Sequence, residues 1–238
     1  MHLKIAVFKL FLIQSRVFVN SFFENFKFPP FLAKAIQDLQ DNFMILGITG
    51  AIGCGKSTVL SIFSDRQWRV FDADKLCHKL YDGHDRELCT QITEKWGKEL
   101  LLPDGSICRK TLGKIVFADP GQLEMLTDLL YPALRREILQ SAEYCRRENI
   151  NAAFELPLLY EGGFEKSFDK ILAIWSSPEI RHKRLREKRN MTDDDIYARE
   201  KQQLSPDEKL ERADFAVINN GTGEELKLQL DNFFKYYC

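Results

Sequence analysis

The chain has 238 residues and a hydrophobic content of 45%, which is enough for one large domain or for a domain with an inserted subdomain. Its formal net charge is −1, so no overall field favours DNA, RNA or an anionic membrane as the main partner. The six cysteines form no C-x-x-C pair and no His/Cys cluster at metal-binding spacing, which indicates free thiols in a reducing cytosol.

Residues 1–43 precede the first predicted strand and contain no catalytic motif. Lys9, Arg16 and Glu24 break their apolar residues into runs shorter than the ~18 residues needed to cross a bilayer. We therefore expect no membrane span. The same charges also argue against a signal peptide. Two interpretations stay open: a poorly ordered or surface-docked extension, or a start codon upstream of the true start. The position of Met44 just ahead of the strand favours the second, with the folded domain at 44–238.

Residues 50–58 match the phosphate-loop pattern G-x-x-x-x-G-K-[ST] and directly follow the apolar run 44–48. A strand, a glycine-rich loop and a helix starting near Lys56 would together form a cradle for nucleotide phosphates. Lys56 is expected to contact the β- and γ-phosphates, and Ser57 to present its hydroxyl to Mg²⁺. The competing interpretation is a glycine-rich turn that binds nothing. The residues predicted to bind the nucleotide here are Gly53, Cys54, Gly55, Lys56, Ser57 and Thr58.

After the loop, apolar periodicity and turn residues predict alternating strands and helices. A short strand at 68–71 ends in Asp72-Ala73-Asp74, and acidic residues at a strand's carboxyl end face the ligand crevice of an α/β sheet. The alternation predicts a doubly wound parallel sheet, and the helical stretch before the third strand is long enough to be a substrate-covering insertion. The helices are predicted at 58–65, 74–81, 85–96, 109–117, 120–149, 179–188 and 193–203, and the later strands at 151–156, 170–175 and 215–218.

Several further motifs follow the loop in a particular order. They are Asp72-Ala73-Asp74 with His78, Asp104-Gly105 before Arg109, Tyr131-Pro132 with Arg135, Pro157 to Glu161, Arg184-Leu185, Arg199 to Gln203, and Ala213-Asp214 through Asn219. No one of them is decisive, but unrelated phosphate-loop proteins have no reason to share them all at this spacing. From Met44 onward, the chain therefore resembles the dephospho-CoA kinase family.

The resemblance implies a five-stranded parallel sheet of the P-loop nucleotide kinase type, with a helical CoA-binding insertion at about 75–149 and a helical lid at about 179–205. It also implies an activity: ATP-dependent phosphorylation of the ribose 3′-hydroxyl of dephospho-CoA in the cytoplasm, with Mg²⁺ as cofactor. Dephospho-CoA is then the small-molecule partner, and neither a nucleic acid nor a membrane is expected. The oligomeric state is left open.

The resemblance further assigns roles to individual residues. Asp74 matches the family's catalytic aspartate and is the expected general base, although an N-cap role is the alternative. Arg184 matches a lid arginine that would stabilise charge on the moving phosphoryl group; the second lid cation stays open, because a lysine stands at 188. Arg109 and Arg135 are expected to bind phosphates of the CoA substrate, with surface ion pairing as the alternative. Asn219 is expected in the adenine pocket, with a simple turn as the alternative.

Other protein classes compete with this interpretation. A different small-molecule or nucleoside monophosphate kinase would share the loop, the sheet and a basic lid. A GTPase switch is disfavoured, because neither N-K-x-D nor D-x-x-G follows the loop. A non-enzymatic nucleotide-binding module also stays open. Cys54 stands where serine is common in such loops, and its oxidation would add bulk and charge beside the phosphates.

Overall fold

The computed structural model describes residues 43–237, so the interpretations of residues 1–42 lie outside the described residues, as does Cys238. The described chain forms two compact units, one made of residues 43–70 and 145–237 and the other of residues 71–144. Within residues 43–237, no helix combines the length and the apolar character that a membrane crossing requires.

A single five-stranded sheet organises the fold, with strands β1 Ile45–Gly50, β2 Arg69–Asp72, β3 Ala152–Glu155, β4 Lys170–Trp175 and β5 Phe215–Ile218. The strand order is β2-β3-β1-β4-β5, and β1 pairs in parallel with both β3 and β4. The chain therefore runs from β1 to β2 and β3 on one side of β1 and then crosses to β4 and β5 on the other side, which confirms the predicted doubly wound sheet. In such sheets the ligand crevice lies outside the carboxyl end of the strands where the direction switches. The loop after β1 occupies this place.

Nine α-helices of five residues or more lie within residues 43–237. They are α1 Lys56–Asp65, α2 Ala73–Lys79, α3 Arg86–Trp96, α4 Arg109–Val116, α5 Pro120–Arg147, α6 Pro178–Arg189, α7 Asp193–Glu200, α8 Pro206–Arg212 and α9 Gly223–Tyr237. Helix α8 lies between the predicted helix 193–203 and the predicted strand 215–218, where the sequence analysis predicts no element. Its start has a clear local cause: the Ser205 hydroxyl accepts a hydrogen bond from the Glu208 amide, and Pro206 fits the first helical position.

The core of the first unit lies on the face of the sheet that α1 and α9 cover. Leu46 and Ile48 of β1 point into it and are completely buried. Phe63 of α1 packs edge-on against Trp68 at a ring-centroid distance of 4.9 Å and against Phe234 of α9 at 4.8 Å. This aromatic cluster holds α1 firmly, and α1 begins at the predicted phosphate loop.

The second unit, residues 71–144, is a helical layer with its own tertiary contacts. The Trp96 indole donates to the side-chain oxygen of Gln122 at 2.6 Å, which joins α3 to α5. Arg136 of α5 pairs with Asp85 at 2.9 Å, and Asp85 also accepts from the Leu88 amide at the start of α3. Burial would raise the pKa of Asp85, but these hydrogen bonds and the Arg136 charge lower it overall.

Candidate nucleotide site

The loop between β1 and α1 requires glycine at two positions for steric reasons. Gly55, the residue before α1, has a φ of 94°, and a side chain there would collide with the amide of Asn219. Gly53 has a φ of 81°, and an added Cβ would lie 3.0 Å from the carbonyl oxygen of Arg181. The backbone of the loop is therefore packed closely against the segments around residues 181 and 219. The free amides at the start of α1 make this end of the helix attractive to anions.

Lys56 folds over its own loop. Its ammonium donates to the carbonyl oxygens of Gly50 at 3.0 Å and Ala51 at 3.2 Å, and the residue is only 8% exposed. An ammonium has three N–H donors, so one donor remains for a phosphate oxygen. The structure thus holds the Lys56 charge beside the loop.

Asn219 connects the loop to α6 through both ends of its side-chain amide. The nitrogen donates to the carbonyl oxygen of Cys54 at 2.8 Å, and the oxygen accepts from Arg184 at 3.3 Å. Arg184 also donates to the Ser176 hydroxyl at 3.3 Å, and that hydroxyl donates to the Asn219 carbonyl oxygen at 2.7 Å. Three of the predicted site residues, Cys54, Arg184 and Asn219, therefore belong to one hydrogen-bonded network.

Ile52, in the middle of the loop, is held by the two helices of the predicted lid and by the turn that follows them. Its amide donates to the side-chain oxygen of Gln203 at 3.1 Å, and its carbonyl oxygen accepts from Arg181 at 3.3 Å. Its side chain packs with Leu185 of α6 and Ile196 of α7 in a small buried cluster. The sequence did not single out Gln203 or Arg181 for this role, because nothing in their spacing shows that they turn towards the loop.

Arg181 is almost completely buried, with 3% exposure, and its charge is balanced by Glu200. His182 also contacts the Glu200 carboxylate, at 3.1 Å. Burial alone would raise the pKa of Glu200, but the hydrogen bonds and charges of Arg181 and His182 lower it overall. This ionic group joins α6 to α7 immediately behind the loop.

The remaining basic residues of α6 differ in exposure from Arg184. Arg184 is half-buried against the loop network, whereas Lys188 and Arg189 are exposed at the end of the helix. Of these three side chains within residues 43–237, Arg184 is the one that hydrogen-bonds to the loop network.

Asp72 and Asp74 have different environments in the second unit. Asp72 is the N-cap of α2, because its carboxylate accepts from the amides of Asp74 at 2.9 Å and Lys75 at 3.2 Å. An N-cap role for Asp74 is therefore wrong. The Asp74 side chain is exposed, and among residues 43–237 its carboxylate has no hydrogen bond or ion pair.

The two predicted CoA-binding arginines also lie in the second unit. Arg109 is exposed as the first residue of α4, and Arg135 is half-buried on α5. The charge of Arg109 acts on the phenol of Tyr81: burial raises the Tyr81 pKa above its usual range, and Arg109 offsets part of that rise.

The predicted Mg²⁺ ligand, Ser57, is exposed in the first turn of α1. Within the described residues, no group of three or more His, Cys, Asp or Glu side chains could hold a metal by itself. Mg²⁺ at a nucleotide typically keeps several waters and contacts phosphate oxygens, so a single accessible hydroxyl fits it.

Comparisons with known proteins decide the family. The family model for dephospho-CoA kinase matches residues 44–225. The chain belongs to the dephospho-CoA kinase family. It is 35% identical over 195 residues to the dephospho-CoA kinase of Symbiobacterium thermophilum, covering 82% of this chain and 81% of that one. It is 34% identical over 193 residues to that of Listeria monocytogenes, covering 81% and 96%. The resemblance that the motifs indicated is thus confirmed.

Solved structures agree with the dephospho-CoA kinase fold. The crystal structure of TT1252 from Thermus thermophilus superposes with a TM-score of 0.66 at 30% identity and covers 82% of this chain and 97% of that chain. Dephospho-CoA kinase from Campylobacter jejuni superposes with a TM-score of 0.63 at 28% identity, covering 80% and 95%. The predicted fold of the P-loop nucleotide kinase type is therefore confirmed.

Proposed function

We propose that this chain transfers the γ-phosphoryl group of ATP to the ribose 3′-hydroxyl of dephospho-CoA, giving coenzyme A and ADP. The match to the dephospho-CoA kinase family over residues 44–225 carries the proposal. The phosphate loop supports it, because the loop offers a helix N-terminus and the buried Lys56 ammonium to a polyphosphate.

Phosphoryl transfer depends mainly on alignment and on neutralisation of charge. Lys56 would bind one phosphate with its remaining N–H donor. To bind both the β- and the γ-phosphate, it would give up one of its two contacts to loop carbonyls. Arg184 would bind the phosphoryl group during its transfer. Asn219 would fix Arg184 relative to the loop and would also line the adenine pocket. The Ser57 hydroxyl would hold Mg²⁺, which would supply positive charge to the phosphates. The remaining nucleotide contacts would come from Gly53, Cys54, Gly55 and Thr58.

The acceptor side is assigned to the helical insertion, about 75–149, and to the aspartate just before it. Asp74 would accept the proton of the ribose hydroxyl as the new O–P bond forms, a role that a solvent-accessible carboxylate without a competing partner can fill. Arg109 and Arg135 would bind phosphates of dephospho-CoA through charge-assisted hydrogen bonds. The lid, about 179–205, would exclude water from the reaction. We place the activity in the cytoplasm, where free thiols persist.

An acceptor assay tests this proposal. ADP release would be measured with MgATP and, in separate reactions, dephospho-CoA, AMP, adenosine or pantothenate. The proposal predicts transfer mainly to dephospho-CoA and its loss in Lys56→Met. Preference for another acceptor would leave a kinase of different specificity, and no transfer would favour a nucleotide-binding module.

A further inference from the structure

Lys209 is a completely buried cation that the proposed reaction does not use. It lies on α8 with 0% exposure, and its ammonium donates to the carbonyl oxygen of Pro157 at 2.6 Å. The same ammonium lies 2.8 Å from the Glu161 carboxylate. Burial lowers the pKa of Lys209, Glu161 opposes that shift, and the positive charge of Lys56 adds to it. Lys209 therefore lies close enough to the phosphate-loop lysine for the two charges to interact.

Glu161 connects Lys209 to the end of the predicted lid. The carboxylate oxygen that faces Lys209 also accepts from the amide of Leu204 at 2.7 Å. The other carboxylate oxygen is buried and has no hydrogen-bond partner among residues 43–237. One oxygen of Glu161 thus serves both the ammonium and the backbone after α7.

The residue before Leu204 contacts the phosphate loop. The Gln203 side-chain oxygen accepts from the amide of Ile52 at 3.1 Å. A continuous path of contacts therefore runs from Lys209 through Glu161 and the backbone at 203–204 to the loop.

A buried ion pair costs free energy, because both charges lose their hydration. Two apolar side chains of similar volume often give equal or greater stability, because they avoid the desolvation of both charges. The pair instead fixes the orientation of the Glu161 carboxylate, and that carboxylate fixes the Leu204 amide that donates to it. Such a contact matters where a neighbouring group must be held in one place, and here that group is Gln203.

We propose that Lys209 is a positioning residue for nucleotide binding, which acts through Glu161 to fix the segment 203–204 and so the contact of Gln203 with the phosphate loop. The inference rests on the proposed function for its meaning in catalysis. It predicts an effect on nucleotide affinity and none on the affinity for dephospho-CoA. Loss of the path leaves the Ile52 amide free to turn, so the loop must be reordered when ATP binds.

Binding of a non-hydrolysable ATP analogue, measured by titration calorimetry, tests the path directly. A hydrogen bond lost from it corresponds to about a tenfold weaker affinity or somewhat less. We expect about that loss in Lys209→Met and in Gln203→Met, and the double variant should be no weaker than the weaker single variant. Losses that multiply in the double variant would overturn the proposal. The matched control is Lys170→Met, which removes an exposed pair with Asp214 and should leave the affinity within about twofold.

Two further variants keep the test decisive if Lys209→Met does not fold. Glu161→Gln keeps an oxygen for the Leu204 amide and should bind the analogue almost as tightly as the parent, whereas Glu161→Met should lose about tenfold. Equal binding by these two would overturn the proposal. A double variant of Glu161→Met and Lys209→Met that is stable and binds normally would show a purely space-filling pair and would also overturn it. These titrations need no acceptor, so absence of transfer to dephospho-CoA would defeat the proposed function without deciding this inference.

Discussion

The side-chain nitrogen of Asn219 lies 2.8 Å from the carbonyl oxygen of Cys54 and donates a hydrogen bond to it. Asn219 follows the last strand of the sheet and Cys54 lies in the loop after the first, so one amide joins the loop after β1 to the segment after β5. The other end of that amide accepts from Arg184. Asn219 thus couples the loop geometry to the position of the arginine.

Replacement of Asn219 by alanine should weaken ATP binding and also destabilise the fold. The change leaves the Cys54 carbonyl oxygen without its Asn219 donor in a buried place, which costs about 1–3 kcal/mol. We expect the KM for ATP to rise about tenfold, with a smaller change in the KM for dephospho-CoA. Steady-state kinetics and urea unfolding measure the two effects. The control is Asn220→Ala, because Asn220 is the exposed neighbour and bonds only the Ser177 amide among the described residues.

Arg184→Met should act mainly on kcat. Removing a donor that stabilises developing charge typically costs about a hundredfold or more in rate. The matched control is Arg186→Met, since Arg186 is exposed and pairs with Asp193 at 2.7 Å. We expect the control to keep kcat within about twofold. Equal losses of kcat in the two variants would contradict a specific role for Arg184.

Asp74→Asn and Asp72→Ala should produce different defects. The first removes the proposed base and should lower kcat by about a hundredfold or more while ATP binding is kept. The second removes the N-cap of α2 and should lower the free energy of unfolding by about 1 kcal/mol. Asp72→Ser can still cap the helix and should recover most of that stability. Unchanged transfer in Asp74→Asn would exclude Asp74 as the base.

The Glu200 group predicts a pH-dependent contribution to stability. Its partners Arg181 and His182 outweigh the effect of burial and lower the Glu200 pKa below the usual 4.5. A carboxylate with a lowered pKa contributes its full stability above 4.5 and loses it as the pH falls through the folded-state value. Glu200→Gln should therefore be about 1–3 kcal/mol less stable at neutral pH, and the difference should shrink below 4.5.

Urea unfolding at several pH values measures this effect. Glu187→Gln is the control, because Glu187 is exposed and lies 3.9 Å from Lys183. The control should stay within about 0.5 kcal/mol of the parent. A difference between Glu200→Gln and the parent that grows in acid would contradict the assignment.

The thiols should differ in their reaction with iodoacetamide. A hydrogen bond with the Thr111 hydroxyl at 3.2 Å lowers the pKa of Cys108, whereas burial raises that of Cys77 to about 12. Cys54 is completely buried, so its modification requires the loop to open. Among the cysteines within residues 43–237, we expect peptide mass mapping to find Cys108 alkylated first, well before Cys54. Early modification of Cys54 that ATP prevents would instead support a redox-sensitive loop.

The sequence was sufficient for the parts of the site that depend on local pattern. The loop from Gly50 to Thr58 and the strand before it follow from glycine geometry and apolar periodicity, and the structure has both where they were predicted. The N-cap of α2, which the sequence analysis offers as an alternative role for Asp74, belongs to Asp72. Asp72 and Asp74 are both compatible with the motif, and only backbone geometry shows which one caps the helix.

The contacts that hold the loop from outside could not be predicted. Gln203 lies more than a hundred residues from Ile52 in sequence, and β4, α6 and α7 lie between Glu161 and Lys209 in the chain. Such pairings depend on how helices turn when they pack, and a charged residue on a helix is ordinarily solvated. Complete burial of Lys209 is therefore visible only in three dimensions.

The most direct test of this account is a competition among acceptors. The enzyme would be given MgATP with equal concentrations of dephospho-CoA, AMP, adenosine and pantothenate, and the phosphorylated products would be identified by mass and fragmentation. The account predicts that coenzyme A, phosphorylated on the ribose 3′-oxygen, is the dominant product. Dominant phosphorylation of another acceptor, or of another hydroxyl of dephospho-CoA, would contradict it.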